Sequence, residues 1–187
     1  MWDVFVADRA DLRAWLEAHH REKEGAWIVF YKGEKRTLSY DDLAEEALCF
    51  GWIDAKPGKV DEEKTKLYLA PRDPNSNWSA LNKRRIAKLE AAGLLTDAGR
   101  AVVRVAQENG TWDALNDVEN LVIPEDLERA FAEFGGAKAN FQAFPASTQR
   151  GILEWILNAK REATRKKRVE EAAALAQKNL RANQWPR

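Results

Sequence analysis

Apolar positions in the first half of the chain change period several times, and each change marks an element. Leu12, Trp15, Leu16 and His19 fall at i, i+3, i+4 and i+7, which predicts an amphipathic helix. Gly25 closes the polar run that follows. Ala26-Trp-Ile-Val-Phe-Tyr31 is a short continuous β-rich run, the pattern of a strand buried on both faces. Lys32 to Arg36 reads as a solvated turn. Ser39 is placed to cap the next helix, with Asp41 and Asp42 suited to its positive end. Leu43, Ala44, Ala47 and Leu48 form the inner stripe of that helix, and Gly51 stands where a left-handed C′ residue is needed. Trp52 to Lys56 and Lys66 to Ala70 predict two strands joined around Pro57-Gly58 and a charged connection. With Ala26–Tyr31 they make a small antiparallel sheet of about three strands.

Past Ser79 the periodicity becomes helical throughout. Ile86 and Leu89 share one helix, ended by Gly93. Thr96 caps another, carrying Ala98, Ala101, Val102, Val105 and Ala106. Thr111 to Val122 has no period and reads as a linker. Pro124-Glu-Asp126 opens a helix that Gly135-Gly136 breaks. Pro145 opens a further helix with Ile152, Leu153, Trp155 and Ile156 inside. A last helix carries Val169, Ala172, Ala173, Ala176 and Leu180 and runs toward Trp185-Pro-Arg187. The expected fold is helix-rich α+β, with a small sheet and helices in residues 1–115 and an all-helical region over 120–187.

Composition narrows the class. At 187 residues with eight Trp, the chain can bury a sizeable core. No apolar run approaches the roughly 20 residues that span a bilayer. Met1 to Val6 lacks a basic region leading into an apolar stretch, so no signal peptide is expected. A single cysteine, Cys49, allows no intramolecular disulfide and fits a reducing compartment, so the expected location is cytoplasmic. Net charge is zero but uneven: from Pro145 onward ten Lys/Arg face four Asp/Glu. That segment either contacts an acidic partner, another copy of the chain included, or packs against the acidic N-terminal part of its own chain.

The densest candidate chemistry lies in Phe50-Gly-Trp-Ile-Asp54, Pro71-Arg-Asp-Pro-Asn-Ser-Asn-Trp-Ser79 and Asn82. Turns need only Gly, Pro, Asn and Ser; here two indoles, a carboxylate and a guanidinium are added. Trp52 and Asp54 share a strand face, and Arg72 leaves the end of the partner strand. A guanidinium beside an indole suits a carboxylate, phosphate or planar ligand. Trp52, Asp54, Arg72, Asn77, Trp78 and Asn82 are therefore candidate ligand residues. Equally, Asp54 and Arg72 form a structural ion pair and the indoles are core. Asn77 or Ser79 serves an anion at a helix start, or simply caps the helix.

Other chemistry is thin. Cys49 has no histidine near it in sequence and reads as a small buried hydrophobe. His19 and His20 are adjacent on a helix and point about 100° apart, so no metal site is expected. No phosphate-binding glycine loop, nucleophile elbow or zinc-protease motif occurs, and no cofactor is implied. Lys160, Arg161, Arg165 and Arg168 form a basic surface, with the three arginines on one helix face. A near-neutral pI makes nucleic acid a disfavoured partner.

Leu38-Ser-Tyr-Asp-Asp-Leu-Ala-Glu-Glu-Ala-Leu-Cys-Phe-Gly-Trp-Ile-Asp54, the segment from Pro71 to Asn82, and Phe144-Pro through Ile152-Leu-Glu-Trp-Ile156 to Arg168 resemble the YdeI/OmpD-associated (OmdA) family of bacterial proteins. The motifs match in order over nearly the whole chain. The resemblance implies a compact α+β protein with a helical C-terminal domain, linked to stress tolerance and to protection against bacteriocins and cationic antimicrobial peptides. It brings no catalytic residues. The expectation is a non-catalytic binding protein with an anionic or planar ligand. Its competitors are an enzyme using Asp54 as acid or base with Arg72 positioning substrate, and an interaction module working through the basic C-terminal helix.

Overall fold

A computed structural model describes residues 3–183, and the chain falls into two compact units, Met1–Ala114 and Leu115–Arg187. The N-terminal unit runs β1 (Asp3–Phe5), α1 (Arg9–His19), β2 (Ala26–Tyr31), a 3-10 turn (Gly33–Lys35), α2 (Tyr40–Cys49), β3 (Trp52–Lys59), β4 (Lys64–Pro71), α3 (Ala80–Ala91) and α4 (Asp97–Glu108). Strands lie in the order β1-β2-β4-β3. Three pair antiparallel as expected, but β1 joins as a fourth strand parallel to β2. A three-residue strand has no room to show a period of two. A parallel neighbour also needs a crossover, which α1 supplies.

Pro57 and Gly58 lie inside β3 rather than in the connection. β3 is an edge strand, where a missing N–H is tolerated. The turn comes later, where the Asp61 carboxylate accepts from the amides of Glu63 and Lys64 at 2.8 and 2.7 Å. A register shift sits between Asp54 and Lys56. Ala26, Ile28, Phe30, Leu67, Leu69 and Trp52 join Leu12, Leu16, Leu43, Leu48, Ile86 and Leu89 in one core. Helices thus cover one sheet face. On the other face Trp27 and Tyr31 are only half-buried, so β2 is not closed on both sides.

Caps follow the expected chemistry. The Ser39 hydroxyl accepts from the Asp42 amide while the Asp42 carboxylate accepts from the Ser39 amide, at 3.0 and 2.8 Å. Gly51 sits at φ 77°, where a side chain would also run into Val102 at 2.7 Å. Thr96 caps α4. The inner stripe of α4 is rotated from the expected one. Gly99 and Ala106 are buried and Val102 and Val103 pack on the core, whereas Val105 is exposed. The cause is Gly99, whose missing Cβ admits the carbonyls of Leu48 and Cys49.

The C-terminal unit is helical: α5 (Asn116–Glu119), α6 (Glu125–Glu133), α7 (Ala137–Ala143), α8 (Ala146–Leu157) and α9 (Glu162–Gln177). The segment read as a linker is structured. Trp112 packs on the first core, while Leu115 and Val118 enter the second. Four helical residues are too few to display a period. Phe131, Phe141, Ile152, Leu153, Ile156, Val169 and Ala173 are buried in that second core. Pro124 and Pro145 precede α6 and α8, and Gly136 at φ 80° precedes α7. α9 ends at Gln177, so Leu180 lies past it and is exposed. Trp185-Pro-Arg187 falls outside the described residues.

Candidate functional site

The six residues singled out from the sequence all belong to the N-terminal unit, and the fold brings only some of them together. β4 ends at Pro71, and the Arg72 amide donates to the Gly51 carbonyl at 3.1 Å, which directs its side chain beneath the following loop. The guanidinium lies over the Trp78 ring at 3.9 Å. One of its terminal nitrogens donates to the Asn77 carbonyl at 2.6 Å, with the Ser76 carbonyl at 3.4 Å. Its Nε is buried and has no acceptor among the described residues. Arg72 is 9% exposed, and burial pushes its pKa down to about 10 against the opposing pull of Asp54 and Asp73.

Arg72, Asn77 and Trp78 therefore form one cluster. Asp54 acts on it through its field; among the described residues the two charges make no ion pair within 4.0 Å. Trp78 is 2% exposed, with Arg72 over its ring and Trp112 at 5.0 Å. Trp52 is elsewhere in the core. Its indole N–H donates to the His20 carbonyl at 2.9 Å, and Trp15 meets it edge-on at 5.7 Å. Asn82 sits in the first turn of α3, where its side-chain oxygen accepts from Arg85 at 2.9 Å. Ser79 caps that helix by accepting from the Asn82 amide at 3.3 Å.

A second charged cluster escaped the sequence reading. Glu45 and Glu46 on α2 are 6% and 2% exposed. Arg9 spans Asp42, Glu45 and Glu46 at 3.1, 3.3 and 2.6 Å. Arg13 reaches Glu46 at 2.9 Å, and Lys88 reaches Glu45 at 2.6 Å. The signal was present: Asp42, Glu45, Glu46 and Cys49 recur at i, i+3, i+4 and i+7, and Arg9 and Arg13 at i and i+4. These charges are mutually satisfied and clamp α1, α2 and α3. Burial pushes the Cys49 thiol up, Glu46 adds to the rise, and Arg13 only partly offsets it, which disfavours the nucleophilic thiolate.

In the C-terminal unit the basic surface is partly committed. Arg165 binds Asp126 through both carboxylate oxygens at 2.7 and 3.0 Å. Burial would raise the Asp126 carboxyl, but hydrogen bonding and charge from Arg165 outweigh it and hold the pKa low. Arg168 lies over the Trp155 ring at 5.0 Å and donates to its carbonyl. Lys160 and Arg161 are exposed. Two of the three arginines on one helix face are thus engaged within their own unit. Beside them, α6 and α9 enclose a cleft of about 330 Å3 whose lining includes Asp126, Arg129, Glu133, Glu162 and Arg165. Among the described residues no group of three or more His, Cys, Asp or Glu is placed to hold a metal ion, and no helix is long and apolar enough to cross a membrane.

Residues 4–102, more than half of the chain, match the family model described as a domain of unknown function, DUF8412. The chain belongs to that family. Residues 120–179 match a second model, described as bacteriocin-protection, YdeI or OmpD-associated, and form an OmdA domain. The Leu38–Asp54 and Pro71–Asn82 motifs of this DUF8412 protein lie in the first match, and the Phe144–Arg168 motifs in the second. No curated protein and no solved structure matches the chain.

Proposed function

We propose that this protein is a cytoplasmic, non-catalytic binding protein serving bacteriocin and stress tolerance, and that its DUF8412 unit takes a small anionic group at Arg72. One observation carries the reading: a buried, charged guanidinium lies over an indole with one donor unmet among the described residues. An unsatisfied buried donor costs about 1–3 kcal/mol, so an incoming acceptor recovers that cost along with its own hydrogen bond. A carboxylate or phosphate oxygen suits the fork of donors, and the capped start of α3 adds a favourable dipole nearby. The Asn77 and Ser76 carbonyls hold one terminal nitrogen of Arg72, and its buried Nε meets a ligand only once the groups covering it move aside. Asn82 stands in the first turn of the same helix. Trp52 and Asp54 serve this reading indirectly, as core support and as a distant counter-charge.

Tolerance arises indirectly in this account, through a ligand sensed inside the cell. The test is a thermal-unfolding screen against phosphates, nucleotides, cell-wall fragments and carboxylates. A ligand at 100 times its Kd adds about 2.7 kcal/mol, a rise of roughly 5–10 °C for a chain of this size. Arg72→Lys keeps a charge but loses the fork, and should remove the shift while leaving a cooperative transition. An equal shift in Arg72→Lys, or no shift with any anion, would overturn the proposal.

A further inference from the structure

The sheet face opposite the helices carries a pattern that the anion site does not use. Trp27 and Tyr68 pair across β2 and β4 with ring centroids 5.3 Å apart. Four residues further along β2, Tyr31 meets Phe5 of β1 edge-on at 5.3 Å. Glycines let the first pair lie down on the backbone. A Cβ at Gly58 would strike the Trp27 ring at 2.8 Å, and one at Gly25 would strike the Tyr68 ring at 2.7 Å. Lysines interleave with the rings. Lys56 stands over both Trp27 and Tyr68 at 5.5 Å, Lys66 over Trp27 at 4.8 Å, and Lys64 over Phe5 and Tyr31 at 5.5 and 5.6 Å.

We infer that this face binds single-stranded nucleic acid, with bases against the rings and phosphates along the lysines. Two aromatic pairs are separated by four strand residues, about 13 Å at roughly 3.3 Å per residue, and ammonium groups stand at both. Aromatic platforms flanked by cations are the recurring means of holding single strands without reading their sequence. An acidic peptide would use the lysines but not the rings. A duplex would bury its base faces and leave the rings unused. Charge on this face is locally positive although the chain is neutral. Lys66 is paired with Asp3 at 3.0 Å and Lys35 with Glu63 at 2.6 Å, whereas Lys56 and Lys64 have no carboxylate within 4.0 Å among the described residues. Phe5 is 49% exposed, so at least one ring is open to a base without rearrangement.

The test is fluorescence anisotropy of the full chain with labelled 15-mers of dT and of rU, a 15-base-pair duplex, and polyglutamate as competitor. Both single strands should bind, at least about tenfold more tightly than the duplex. The log-log salt slope should lie between about −1.4 and −2.8, the range for two to four lysines on single strands. Phe5→Ala should weaken binding about tenfold, and the double variant Lys56→Glu/Lys64→Glu by more. Both change exposed or half-buried positions, and circular dichroism checks that the fold is retained. The inference fails if neither strand binds at low salt, if the duplex binds as tightly, if polyglutamate competes equally, or if folded variants keep wild-type affinity. Phe5→Ala should leave the anion-induced thermal shift unchanged, which separates this face from the anion site.

Discussion

The two units bury their helices by different chemistry. In the DUF8412 unit, seven of the ten residues of α2 are buried, and two of them are glutamates held by Arg9, Arg13 and Lys88. Among the described residues of the OmdA unit the buried set is almost wholly apolar, and the buried polar residues are the uncharged Thr148 and Gln149. Gln149 satisfies its amide on the carbonyls of Gln142 and Phe144. The helical unit gains stability from packing with little angular preference. The mixed unit adds a directional ionic network, in which the two buried glutamates are paired with Arg9, Arg13 and Lys88.

The largest effect should come from the apolar side. Phe141→Ala removes a ring that is 0% exposed and touches Phe131 and Phe144, and should cost about 3–5 kcal/mol. In denaturant titrations it should lower the transition of the OmdA unit and spare that of the DUF8412 unit; equal loss in both would merge the two cores into one folding unit. Next comes Glu46→Ala, which strands Arg9 and Arg13 but leaves Arg9 its contacts to Asp42 and Glu45. Because both arginines are about one-third exposed, the loss should be about 2 kcal/mol, below the roughly 3–5 typical of a fully buried pair. A loss under half of that would reduce the network to a surface one.

Smaller effects sharpen the contrast. Ser39→Ala removes the cap of α2 and should cost about 1 kcal/mol by chemical denaturation. In the OmdA unit the titratable counterpart is Asp126. Its folded pKa is depressed, so its contribution is complete above the unfolded value near 4 and is lost as pH falls through the lower folded value. Asp126→Asn should therefore cost about 1 kcal/mol at pH 7 and next to nothing near pH 2. A pH-independent difference between wild type and variant would show that the carboxylate acts only by shape.

Periodicity carried most of the fold. α1, β2 and the caps of α2, α3 and α4 were legible because each is dictated by neighbours three or four residues away. β1 and α5 were not, being too short to repeat a pattern. The rotation of α4 was hidden because Gly99 reads as a weak helix residue until the carbonyls of α2 are seen above it. At the candidate site, the proximity of Arg72, Asn77 and Trp78 was local and legible; the distance of Trp52 from Trp78 was not. The aromatic and lysine face was spread over β1, β2, β3 and β4, so no stretch of sequence displays it.

The sequence by itself determined the longer helices and strands, the caps of α2, α3 and α4, and the OmdA resemblance of the C-terminal region, because those depend on short-range chemistry. Tertiary structure alone decided which charges are buried, which indoles share a site, and which sheet face stays open. Those depend on pairings between residues far apart in the chain, such as Arg9 with Glu46, 37 positions away, or Asp3 with Lys66, 63 away, and only packing brings such residues together.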